Sequence, residues 1–156
     1  MIESLISAVL IISLFQKSEH ARFAGLSLGL TACAHYALVE KFGLTGFDYC
    51  FTAATSGAIV VFIIAYFARV TRVSDTILSI GCVSIIFNMD GFLLYSYGFS
   101  TEPYNLSIVV LYLIAIISLL RGDCANDNAR TYQRYPGFRV FAVKCRDLCF
   151  SLSRKA

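Results

Sequence analysis

Charge is scarce in this chain of 156 residues. Asp, Glu, Lys and Arg make up 15% of it, and almost all of them fall between apolar runs. The apolar share is 58%, against about 45–50% in a soluble domain. The excess needs a covering other than water, and lipid is the simplest one. The length fits one bundle and no second domain.

Catalytic signatures are missing as well. The sequence has no Walker loop, no dinucleotide glycine fingerprint, no His-Glu-x-x-His and no hydrolase elbow. Ser, His and Asp occur, but nothing in the sequence places them together. The expected class is therefore not an enzyme, with no cofactor and no metal. The six cysteines do not form a disulfide framework, because such scaffolds are short, secreted and poor in core. Cys33, Cys50 and Cys82 fall in or beside apolar spans; Cys124, Cys145 and Cys149 fall in the tail. No basic residue precedes the first apolar run, so the n-region of a signal peptide is lacking and the run is expected to be retained. No internal repeat is visible, which weighs against a carrier.

What is present is a series of five apolar spans, at about 2–16, 23–39, 49–70, 76–99 and 104–120. An all-α integral membrane bundle over 1–120 is expected, followed by a tail over 121–156. The first span is short for the ~30 Å hydrocarbon core. It crosses by thinning the bilayer or by lying against longer neighbours, or else rests in the interface; crossing is the favoured reading. The second span carries Gly25, Gly29, Cys33 and Ala37, a small residue at every fourth position. Such a stripe lets helices approach closely, within the chain in the simpler reading and between copies in the other. The third span opens on small residues that include Gly57. The fifth has no charge and is expected to face lipid.

Three polar residues stand out inside the spans: His35, Asn88 and Asp90. An aspartate at that depth costs roughly 2.5–3.5 kcal/mol on insertion scales, so Asp90 is expected to be buried against another helix or water. The plain reading of Asn88 and Asp90 is inter-helix hydrogen bonding, and of His35 a satisfied interface residue. The sharper reading is an outward-facing polar cavity lined by His35, Asn88 and Asp90. Tyr36, Tyr49, Tyr95, Tyr97 and Tyr104 gather at the same end, where most of them suit an interfacial aromatic belt.

With five crossings, twelve of the thirteen Lys and Arg residues share one side, and only Lys41 lies on the other. The positive-inside rule then places the tail in the cytoplasm and the N-terminus outside, in a bacterial inner or plasma membrane. In the tail, residues 138–153 have helical periodicity with an apolar face. Arg139, Lys144, Arg146 and Arg154 would meet anionic lipid there; nucleic acid is not an expected partner. The leading functional reading is association, with copies of itself or with a larger membrane protein. The alternative is a holin-like pore, or a small ion or proton channel or carrier using Asp90 and His35.

Overall fold

The computed structural model describes residues 2–68 and 71–123. The expected tail helix over 138–153, with Arg139, Lys144, Arg146 and Arg154, lies outside the described residues. Within them the chain forms five α-helices: α1 Ile2–Leu14, α2 Glu19–Phe42, α3 Gly46–Phe67, α4 Arg72–Ser96 and α5 Glu102–Arg121. Helices α2 to α5 have 20 to 25 residues and are long and apolar enough to cross a membrane. At 1.5 Å per residue they measure roughly 30–38 Å, against about 20 Å for α1.

The helices outrun the apolar spans because polar residues close them. Ser18 caps α2, accepting from the Ala21 N–H, so that helix starts at Glu19 rather than 23. It continues to Phe42 and stops at Gly43, which has a left-handed φ of 61°. Thr71 and Ser74 form a reciprocal capping box that starts α4 at Arg72. Asp123, following α5, accepts from the Val73 N–H at 3.0 Å and ties the end of α5 to the start of α4. Pro103 sits in the first turn of α5, where no N–H is needed.

The five helices close into a ring in chain order. Each packs on the next, α1 also packs on α5, and α2 reaches across to α4. α1 does not lie flat across the others. Ile6, Val9 and Ser13 make its buried stripe, and it runs antiparallel to α2, with Ser13 against Gly25 and Leu10 against Gly29. Its end is held by Gln16, whose Nε2 donates to the Leu119 carbonyl at 2.8 Å. Arg22 in turn donates to the Gln16 carbonyl at 2.7 Å.

The two ends of the bundle differ. At the end carrying the α1–α2 and α3–α4 connections, hereafter the basic end, lie Lys17, Arg22, Arg72 and Arg121. The aliphatic core fills that half: Val9, Val60, Ile64, Ile77 and Leu119 are each at most 2% exposed. The other, tyrosine-rich end carries the start of α1 and the α2–α3 and α4–α5 connections. The fifth span does not simply face lipid. Leu111, Ala115 and Leu119 bury one stripe of α5, while Leu106, Val110, Leu113 and Ile117 face outward.

Replacing Gly29 with Leu forces a branched side chain into the space held by Leu10. Overpacking of this kind costs about 1–3 kcal/mol. We expect a lower midpoint for thermal unfolding in detergent, with the matching small-to-Leu change at exposed Ala58 (Ala58→Leu) leaving it unchanged.

Candidate functional site

Four positions on α4 face the ring interior: Gly81, Ser84, Asn88 and Gly91, spaced three, four and three residues apart. That spacing keeps them on one helical face. At the deep end, the Gly57 and Gly81 backbones meet. A Cβ on Gly57 would stand 3.2 Å from the Gly81 carbonyl, and one on Gly81 would stand 3.3 Å from the Gly57 carbonyl. Gly57 thus packs helices, as expected. At the tyrosine-rich end, Gly91 leaves room for the Tyr104 ring, whose Cδ2 a Cβ would approach to 2.7 Å. Between these glycines lies a cavity of about 70 Å³ lined by residues from all five helices. By volume it holds roughly two water molecules at liquid density.

A hydrogen-bonded series runs along one wall. The Tyr104 hydroxyl donates to Asn88 Oδ1 at 2.7 Å. Asn88 Nδ2 donates to the Ser84 carbonyl at 2.7 Å and lies 3.2 Å from its hydroxyl. Asn88 is 2% exposed. The expected inter-helix bond from Asn88 is therefore present, between α4 and α5. Toward the mouth, Tyr49 is the hydrogen-bond neighbour of both Tyr36 and Tyr104.

His35 forms the opposite wall. It ends the inward stripe of α2 that begins with Ala21, Ala24, Leu28 and Ala32. It is 6% exposed, and among the described residues no group hydrogen-bonds either ring nitrogen. The Tyr36 and Tyr49 rings meet it edge-on, with centroids 5.6 and 5.1 Å away. The expectation of a satisfied interface histidine does not hold. Nor does the belt reading for Tyr36, Tyr49 and Tyr104, which line the cavity together with Tyr112. Tyr95 and Tyr97 are exposed, as a belt requires.

Asp90 is the main correction. It is exposed on the outer side of α4, with Ile86, Met89 and Leu93 exposed around it. It neither lines the cavity nor packs against another helix of the bundle. Two residues along a helix turn by about 200°, so Asn88 and Asp90 cannot both face inward. With Asn88 committed to the interior, Asp90 points out. His35 and Asp90 therefore share no path within one chain.

The small-residue stripe of α2 divides in the same way. Gly25 and Gly29 are buried against α1, whereas Cys33 and Ala37 are exposed. A four-residue spacing drifts by about 40° per step, so by Ala37 the stripe has turned some 120° out of the α1 seam. Among the described residues no three His, Cys, Asp or Glu side chains group as metal ligands.

Sequence reasoning passed over Ser84, Gly91 and Tyr112, although the Gly81–Ser84–Asn88–Gly91 spacing was readable as a face. No protein family matches the chain, and no characterised protein or solved structure is detectably similar to it. The fold and site thus define a class only: a helical membrane bundle with an internal cavity of mixed lining at its tyrosine-rich end.

Changing Tyr104 to Phe leaves Asn88 Oδ1 buried without its donor. An unsatisfied buried acceptor costs about 1–3 kcal/mol. A corresponding loss in unfolding free energy is expected, measured in detergent against Tyr97→Phe at the exposed belt position.

Proposed function

We propose that this protein is an integral component of a bacterial inner or plasma membrane that works by lateral association with copies of itself. The reading takes the N-terminus as outside and the tail as cytoplasmic, on the distribution of Lys and Arg. The observation that carries it is Asp90, exposed on an apolar face of α4. Asp90 lies six residues before Ser96, the end of its helix, which is about 9 Å of depth. Side chains on a helix lean toward its N-terminus, so a short carboxylate here leans away from the nearer interface. In lipid it is costly; against a partner it is not.

The surface that complements it lies on α2. Cys33 and Ala37 are exposed and small, which permits close helix approach. One turn above Ala37 is Lys41, also exposed, the single basic residue of this half. Neither Lys41 nor Asp90 has an ion-pair partner among the described residues. α2 and α4 run parallel, so α4 of one copy set on α2 of the next places Lys41 above Asp90. The lysine stem leans inward, toward the carboxylate. The two faces differ, so the contact is heterologous and builds a ring if the rotation closes.

In this docking Ile86 of one copy comes level with Cys33 of its neighbour. An Ile86→Cys chain retaining Cys33, with the other five cysteines replaced, should give an oxidative cross-linked ladder in native membranes. Lys41→Glu should weaken the ladder, and adding Asp90→Lys should restore it. A chain that stays monomeric under these conditions overturns the reading, and so does one that cross-links only to a different protein.

The second reading, a pore or carrier, is favoured by the cavity alone. It predicts solute release from liposomes holding the purified chain; a tight liposome removes it.

A further inference from the structure

We propose that the cavity at the tyrosine-rich end is a binding site for a small organic ammonium ion that carries at least one N–H. The inference is independent of self-association, since every group it uses belongs to one chain. Three observations converge on it.

The first is His35. Its ring is more than nine-tenths buried in the cavity wall, and neither nitrogen meets a protein partner. In its neutral form one ring nitrogen accepts a hydrogen bond. A ligand N–H supplies what the protein does not. Asn88, by contrast, already has Tyr104 and Ser84 as partners.

The second is the character of the lining. Tyr36, Tyr49, Tyr104 and Tyr112 bring aromatic rings to the cavity, and among the described residues no charged side chain lines it. Aromatic rings attract cations through their quadrupole. Without Lys or Arg the site offers an anion no opposing charge. Without a carboxylate it does not replace the hydration shell of a small metal cation, which takes six or more oxygen ligands. An organic ammonium ion, whose N–H groups the His35 nitrogen and the tyrosine hydroxyl oxygens can accept, fits both conditions.

The third is the field at the mouth. Glu3, Glu40, Asp48 and Glu102 stand exposed at this end, where Lys41 is the one basic side chain among the described residues. Glu3 adjoins Ile2 of the lining, Asp48 adjoins Tyr49, and Glu40 is one turn above Tyr36. Acids disposed on four helices around one opening raise the local concentration of cations over about a Debye length. The cavity size then limits the ligand to a few heavy atoms, in the range of ethanolamine.

The chain has no tryptophan, and four of its nine tyrosines line the cavity, so tyrosine emission responds to the site. Full-length protein in a non-ionic maltoside detergent at neutral pH is titrated with ethanolamine hydrochloride, propanol and sodium acetate. A saturable emission change with ethanolamine at millimolar concentration, and none with propanol or acetate, is the expected result. His35→Leu should raise the ethanolamine Kd about tenfold. Ala53→Leu, which fills the cavity from α3, should abolish the response, and circular dichroism checks that both variants fold. Equal responses to propanol and ethanolamine overturn the cation assignment. No saturable response, or an unchanged Kd in folded His35→Leu, overturns the site.

Discussion

The backbone contact between Gly57 and Gly81 sets the rest of the bundle. It lets α3 and α4 approach more closely than any side chain would permit. Once Gly81 faces α3, the period of 3.6 residues decides every other position on α4. Ser84, Asn88 and Gly91 follow it inward; Ile86, Asp90 and Leu93 turn out. The cavity and the exposed carboxylate are thus two consequences of one rotation of one helix. Gly91 then admits the Tyr104 ring, and the Tyr104–Asn88 bond locks α5 to the same face.

The halves of the bundle solve their packing differently. Toward the basic end, aliphatic side chains from five helices interdigitate, and the connections are pinned by Gln16, Arg22 and Asp123. Toward the tyrosine-rich end the inward positions are held by small residues and by tyrosines. Flat rings with polar tips do not interdigitate as branched aliphatics do. They need hydrogen-bond partners and leave space where rings meet. The cavity lies where those rings and the small residues meet. Its floor is closed by Val60 and the core beneath it, with Ile64, Ile77 and Leu119 nearly inaccessible.

Much of this was legible in the residues. The apolar runs locate the five helices, and Ser18, Gly43, Thr71 and Pro103 sit where helix ends call for them. Gly25, Gly29 and Gly57 were readable as packing positions. Two further points needed only the helical angle: that Asn88 and Asp90 face apart, and that a stripe spaced by four residues leaves its seam. What no pattern within one span reveals is which helix meets which. The approach of α1 to α2, the Tyr104–Asn88 bond sixteen residues across a turn, and the lack of a partner for His35 are properties of the assembled ring. Tyrosine is ambiguous for a physical reason: its amphipathic ring suits a membrane interface and a polar cavity equally.

The separation of His35 from Asp90 constrains any conducting role. A path through one chain would start at the His35 cavity and continue past Val60, Ile64 and Ile77, which are packed to exclusion. The buried polar side chains beyond them, Ser13, Gln16, Thr71 and Ser74, are spent on backbone carbonyls and helix caps. A hydrophilic path lined by Asp90 instead requires a surface outside the single bundle, where carboxylates of neighbouring copies face a common space. Permeation, if this protein supports it, is then a property of the assembly, and the internal cavity is a terminal pocket open at one end. The two polar features of the chain accordingly face apart: Asp90 outward from α4, His35 into the cavity.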